Sequence, residues 1–334
     1  MNKTVETGRR RAALLGLVLT GGLTLAGCGG DGAGDDGAGA DPSGGGPMEL
    51  RVASLPIADL GAYFYAIDNG IFTDHGLTVE NVSSTGGAAA IAAMLSGDVD
   101  IAYSGNDSIV KSYAQGLPVV VVAGANNNQP EGDQDSAALV VAAGTTAQDL
   151  SGATLATNAL DNINQVYTQL WLEENGVDPG EVSFVEVPFP EQVAALESGE
   201  IAGSLMPQPF LAQALAGGAE VLGLPYRSGP DGITPIASFV SQGPTVEEKR
   251  DAIDAFVAAM DEADTAANDE ANRDVLVASI LANTQLTEDA AADISFVQYT
   301  TEVSVDQLDD LAELLVRFEI LPEAPDLSGI LLDS

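Results

Sequence analysis

Thr85-Gly86-Gly87, the Ala-rich run Ala88 to Leu95, Ser96-Gly97-Asp98 and Val99-Asp100-Ile101-Ala102-Tyr103-Ser104 follow one another without a long break. Gly105-Asn106-Asp107 then leads to a second helical run through Tyr113, the joint Ala114-Gln115-Gly116-Leu117-Pro118, and the apolar run Val119 to Val122. Helix, strand, helix, strand with short glycine-marked joints is the rhythm of a parallel α/β sheet. Gly86-Gly87 opens a helix, so free backbone N–H groups can face a ligand. Ser104-Gly105-Asn106-Asp107 leaves the carboxyl end of a strand, where open α/β sheets bind small molecules.

The same joint returns later. Leu196-Glu197-Ser198-Gly199-Glu200-Ile201 echoes Met94-Leu95-Ser96-Gly97-Asp98-Val99, again after a short Ala-rich helix and before a strand. That strand ends at Met206-Pro207-Gln208-Pro209, the counterpart of the loop after Tyr103. Two lobes of like construction are therefore expected around one cleft. Before the first joint, Glu49 to Ala53 reads as a strand, Asp59 as the N-cap of a helix over 60–68, and Leu77 to Val82 as a strand. After it, strands are expected at 139–141, 153–157, 182–187, 203–206, 219–222 and 236–240, with helices at 163–174 and 191–196. Polar crossings between lobes are expected at 123–130 and 225–235. From Val246 the pattern is helical, over 246–267, 271–281, 288–294 and 305–318, and reads as a packing layer.

The 334 residues have room for two lobes, and 46% hydrophobic content allows a core. Lys and Arg number 11 against 50 Asp and Glu, a formal net charge of −39. Lys3, Arg9, Arg10 and Arg11 lie near the N-terminus, so the rest is more acidic still. Such a surface repels nucleic-acid phosphate and anionic lipid, which makes both poor partners. It keeps a protein soluble where salt screens self-repulsion, so a high-salt habitat fits it.

Residues 1–27 read as an export leader. Arg9-Arg10-Arg11 is basic, and Ala12 to Leu25 is apolar but too short and glycine-broken to span a membrane. Leu25-Ala26-Gly27-Cys28 matches the bacterial lipoprotein signal, and Cys28 is the one cysteine. It excludes internal disulfides and cysteine metal clusters. Residues 28–47 hold almost nothing but Gly, Ala, Asp, Ser and Pro, and form a flexible tether reaching roughly 25 Å.

With these residues in view, the chain resembles the substrate-binding lipoproteins of ABC transporters in the nitrate, sulfonate, taurine and thiamine-precursor group. The resemblance rests on Ala66-Ile67-Asp68-Asn69-Gly70-Ile71-Phe72-Thr73-Asp74-His75-Gly76-Leu77-Thr78-Val79, on Gly86-Gly87-Ala88, and on Ser96 to Ala102. Ala114 to Pro118, Asp149 to Gly152 and Ala194 to Gly199 extend it in the family's order. It implies a type II periplasmic-binding-protein fold: two α/β lobes joined by two hinge crossings, with C-terminal helices. Lobe 1 is expected at 48–124 and 236–334, and lobe 2 at 125–235. It further implies a monomer anchored outside the cell membrane by lipid on Cys28, capturing a small molecule for a permease and its ATPase. Carried over by position, the ligand-facing residues are Leu55, Tyr63, Gly86, Gly87, Ser104, Gly105, Asn106, Asn126, Asn127, Asn158, Asp161, Asn162, Pro188, Met206, Pro207 and Gln208.

No basic residue falls in those loops, while Asn and Gln side chains abound beside Tyr63, Tyr103 and Phe189. Amides offer donor and acceptor together, and rings offer a stacking face. A neutral heteroaromatic such as a pyrimidine is favoured, with sulfonate, taurine or nitrate next; Asp161, if in the cleft, favours a cationic or N–H-rich ligand. Asn158, Asp161 and Asn162 read equally as helix caps, and Tyr63 and Tyr103 as core. No enzyme motif is present: His75 stands alone in a turn, and no metal or cofactor is expected. A surface-tethered sensor is the alternative, and an enzyme of thiamine-pyrimidine metabolism a more distant one.

Overall fold

The structure is a computed structural model describing residues 46–129, 135–291 and 294–332. The expected leader, Cys28 and the tether through Gly45 lie outside the described residues. The first half runs β1 (Met48–Ser54), α1 (Gly61–Asp68), α2 (Ile71–Asp74), β2 (Leu77–Ser83), α3 (Gly87–Leu95), β3 (Ile101–Gly105), α4 (Asn106–Ala114) and β4 (Val119–Asn127). The second runs β5 (Ala137–Ala142), β6 (Thr154–Thr157), α5 (Ile163–Glu174), β7 (Ser183–Glu186), α6 (Phe189–Glu197), β8 (Gly203–Pro207), α7 (Phe210–Ala216) and β9 (Ala219–Gly223). The chain then returns through β10 (Pro235–Gln242), α8 (Gly243–Glu248), α9 (Arg250–Asn268), α10 (Arg273–Asn283), α11 (Glu288–Ala291), β11 (Gln298–Tyr299) and α12 (Val305–Arg317).

Two sheets result, ordered β2-β1-β3-β10-β4-β11 and β7-β6-β8-β5-β9. In the first, β1 is parallel to β2 and β3, and β10 is antiparallel to β3 and β4. In the second, β6 is parallel to β7 and β8, and β5 is antiparallel to β8 and β9. Order and direction thus repeat, with β10 in the place of β5. β11 also pairs antiparallel on β4, and the parallel rhythm read from the sequence is interrupted at β5 and β10. Each is the first strand after a crossing, so it enters its sheet from the carboxyl ends of the parallel strands and must run against them.

The repeated joint is built the same way twice. Ser96 and Ser198 close their helices at φ −78° and ψ −11°, and Gly97 and Gly199 follow at φ 82° and 75°. Glycine reaches that left-handed conformation without steric cost. The Asp98 and Glu200 N–H groups then bond back to Ala93 and Ala195, at 2.9 Å in both cases.

The C-terminal helices cover the first sheet. On α9, Ile253, Phe256, Ala259, Met260 and Ala263 are buried at helical spacing. Phe256 stacks on Phe72 at 5.5 Å and meets Phe239 edge-on at 5.1 Å. The single helix expected over 246–267 breaks at Lys249, whose ammonium lies 2.9 Å from Asp100. Helix α7, after Pro209, and strand β11, paired on β4, carried no clear signal in the sequence. Among the described residues no helix is long and apolar enough to cross a membrane, and no cluster of His, Cys, Asp and Glu could hold a metal ion.

Candidate ligand-binding cleft

A cavity of about 290 Å³ lies where the carboxyl ends of β1, β3, β6, β7 and β8 converge. The first half contributes Leu55, Ile57 and Asp59 beyond β1, Gly86 to Ala89 at the start of α3, Tyr103 and Gly105 of β3, and Asp107 and Ser108 of α4. Facing them are Asn158, Asn162, Ile163 and Asn164 around the start of α5, with Glu186, Phe189 and Pro207. Tyr226, Ile236 and Ala237 close it from the returning chain.

Backbone geometry makes the first wall. The N–H groups of Gly87, Ala88 and Ala89 precede the first intrahelical donor of α3, the Ala90 N–H, which bonds to the Gly86 carbonyl. Gly87 lets α3 approach β3 closely, since a Cβ there would stand 2.4 Å from Ser104 Oγ and 3.1 Å from the Gly105 nitrogen. Asn106 and Asp107, expected as a loop, form the first turn of α4.

Amides make the second wall. Asn162 caps α5 by accepting the Gln165 N–H at 3.1 Å, and takes a bond from Thr157 Oγ1 at 2.8 Å. Its Nδ2 donates to Asn158 Oδ1 at 2.7 Å, and Asn164 Nδ2 donates to the same oxygen at 3.1 Å. The Tyr226 hydroxyl donates to Asn164 Oδ1. Capping and lining therefore belong to one network, which holds these side chains in fixed rotamers.

The charges are of one sign. Asp59, Asp107 and Glu186 line the cavity, and no Lys, Arg or His is among the described residues that do. Asp107 pairs with Lys111 at 3.1 Å and accepts the Ser108 hydroxyl at 2.9 Å. Glu186 accepts the Leu160 N–H at 3.3 Å. Asp59 is different. It is 4% exposed, and its Oδ1 has no hydrogen-bond partner. Burial first, then the charge of Asp135, pushes its pKa up to about 7. Burial, with Asp59 adding to it, also raises Tyr103, so that hydroxyl stays a phenol.

The expected N-cap role of Asp59 is not observed. Ala58 to Leu60 form a 3-10 turn, and α1 starts at Gly61 with Leu60 as its cap. The turn is pinned by the Ala58 N–H to Gln208 O at 3.1 Å and by the Tyr299 hydroxyl to Ala58 O at 2.9 Å.

Of the residues expected to face ligand, Leu55, Gly86, Gly87, Gly105, Asn158, Asn162 and Pro207 line the cavity. Tyr63 sits in the core, 1% exposed, with Phe64, Phe72 and Phe239 around its ring and its hydroxyl on Asn81. Ser104 and Asn106 are fully buried, bonded to the carbonyls of Gly105 and Pro235. Asn126 stands behind the wall, donating to the Asp59 carbonyl at 2.9 Å and the Tyr103 hydroxyl at 3.0 Å, so it positions two lining residues. Asn127 pairs within the first sheet with Gln298 and Pro235. Asp161, at φ 58°, offers its carbonyl to Lys111. Pro188 caps α6, Met206 is buried in β8, and Gln208 Oε1 accepts the Ala212 N–H at 3.2 Å. The sequence reading missed Asp59, Asn164, Glu186 and Tyr226 as lining residues. Asp59 follows β1 at its carboxyl end, and that position was the available signal.

The family model described as the NMT1-like family matches residues 43–282. No curated protein matches the chain in sequence. Among solved structures, the ligand-binding component of an ABC-type import system from Staphylococcus aureus, with zinc bound, is similar at TM-score 0.74 and 16% identity, over 85% of this chain and 96% of that one. The alkanesulfonate-binding protein SsuA of Xanthomonas axonopodis bound to MOPS is similar at TM-score 0.70 and 15% identity, over 87% and 100%. The periplasmic aliphatic sulphonate binding protein SsuA of Escherichia coli is similar at TM-score 0.68 and 18% identity, over 85% and 97%. These likenesses show the fold, that of the periplasmic binding proteins.

Proposed function

The chain belongs to the NMT1-like family, and from that premise we propose that it is the solute-binding component of an ABC importer. Held outside the cell by lipid on Cys28, a monomer captures a small molecule and hands it to a permease driven by an ATPase. One lobe comprises residues 48–124 with 236–334, and the other residues 125–235. The observation that carries this reading is the cavity at the carboxyl ends of strands from both sheets. A solute there touches both halves at once, so the closed form gains contacts that the open form lacks. The likeness in fold to an import-system component and to two sulfonate-binding proteins supports it.

The ligand favoured is a neutral heteroaromatic such as a pyrimidine. Asn158 supplies an amide edge, and Tyr103, Tyr226 and Phe189 line the cavity with aromatic rings. A sulfonate is the second reading, favoured by the free N–H groups of α3 but opposed by three lining carboxylates. A thermal-shift screen against pyrimidines, sulfonates, taurine, nitrate and amines tests the solute-binding reading. A compound that binds the native state raises the melting temperature. A flat result across the screen counts against it.

A further inference from the structure

Asp59 is the anomaly of the cleft. Burying a carboxylate oxygen with no partner is costly, and native proteins seldom leave one so. The other lining acids have partners: Lys111 and Ser108 at Asp107, and the Leu160 N–H at Glu186. At Asp59, by contrast, Oδ1 has no partner, while the backbone carbonyl accepts a bond from Asn126. The groups facing it are Asp135 beside the second sheet, Asp107 across the cavity, and the phenols Tyr103, Tyr226 and Tyr299. None is a cation. Arg227 and Lys111 are committed to Asp135 and Asp107.

We propose that the cleft takes an organic cation, a compact molecule bearing an ammonium, amidinium or guanidinium group whose N–H donors pair with the Asp59 carboxylate. The proposal rests on the solute-binding reading, and replaces its neutral ring with a ligand that carries a positive nitrogen. A cation supplies the missing donor and offsets the repulsion between Asp59 and Asp135. Tyr103 and Tyr226 also line the cavity, and an aromatic ring attracts a cation. The free N–H groups of Gly87 to Ala89 suit an acceptor at the ligand's other end. A formal net charge of −39 draws cations toward the molecule and repels a sulfonate. Near neutral pH Asp59 is partly protonated, so pairing with a cation expels a proton.

Three probes of one size and different head charge test this: benzamidine, benzamide and benzenesulfonate, titrated calorimetrically into the folded protein. Benzamidine is expected to bind at least about tenfold more tightly than benzamide, with benzenesulfonate weakest. Its binding should release protons, seen as a heat that changes between buffers of different ionisation enthalpy. Asp59→Asn should cost benzamidine at least about tenfold and abolish the buffer dependence. Equal affinity for benzamide, preference for benzenesulfonate, silence from all three probes, or an unaltered Asp59→Asn each overturns the proposal. If Asp59→Asn does not fold, the wild-type probe ranking and proton release decide alone. The solute-binding reading stands or falls separately on its wider melting screen.

Discussion

The Lys111 ammonium donates to the carbonyl oxygen of Asp161, so a side chain of α4 reaches across the cleft to the chain just before α5. Asp107 holds the same ammonium from behind at 3.1 Å. A second tie joins Arg317 of α12 to Glu173 of α5. These polar contacts join α4 and α12 to the α5 region without a ligand. Lys111→Met is expected to raise the population of open molecules and weaken solute binding by a few-fold, about 1 kcal/mol for one charged hydrogen bond at a side chain 22% exposed. Small-angle scattering of the unliganded variant should give a larger radius of gyration. An unchanged curve would remove Lys111 from the balance between open and closed forms.

Asp264 is buried on α9, and neither carboxylate oxygen has a partner. Burial first, then Asp261, pushes its pKa up to about 8 from 3.8. The folded protein therefore holds a proton that the unfolded chain has released. Stability from this group is complete below about pH 4 and declines as pH rises toward 8. Asp59, raised to about 7, acts in the same direction. Asp264→Asn should melt higher than the parent at pH 8, by roughly 5 °C, and close to it at pH 4. A constant gap across the pH range would show that the carboxyl does not titrate as its burial requires.

Neighbouring glycines at the start of α3 should behave differently. A Cβ at Gly87 meets Ser104 Oγ at 2.4 Å and backbone at 3.1 Å, whereas one at Gly86 meets nothing within 4 Å. Gly86 has extended backbone at φ 177°, open to any residue. Gly87→Ala should cost about 1–3 kcal/mol by overpacking and push the α3 N–H groups off the cavity wall. Gly86→Ala should stay within about 0.5 kcal/mol of the parent. Denaturant titration of the two variants would decide, and equal losses would refute the close approach of α3 to β3.

An excess of 50 acidic over 11 basic side chains makes stability depend on screening. At 1 M salt the Debye length is about 3 Å, shorter than most distances between surface carboxylates. The melting temperature is expected to rise by roughly 10 °C between dilute buffer and 2 M KCl. Sucrose, which carries no charge, should give a smaller rise at equal osmolality. A melting temperature indifferent to KCl would sink the argument.

Much of the scaffold could be read beforehand. The Ser96-Gly97 and Ser198-Gly199 joints, Asn69-Gly70, and the helix over 163–174 announce themselves through residues whose local conformations are restricted. The cleft was harder. Gly87 and Asn162 were legible because their roles are local, a helix start and a cap. Asp59 and Tyr226 were not, because they meet only through long-range packing of segments that look like an ordinary cap and an ordinary loop. Tyr63 misled for the opposite reason: a ring suited to ligand contact is equally suited to an aromatic core.

Strands β4 and β10 lie side by side, and the chain leaves for the second sheet at the end of one and comes back at the start of the other. Two adjacent rods can flex together like a strap, yet they resist sliding and corkscrew motion. Capture of a solute should then show up as a single angle. A pair of spin labels, one on each side of the strap, would be enough to follow every step from empty to loaded.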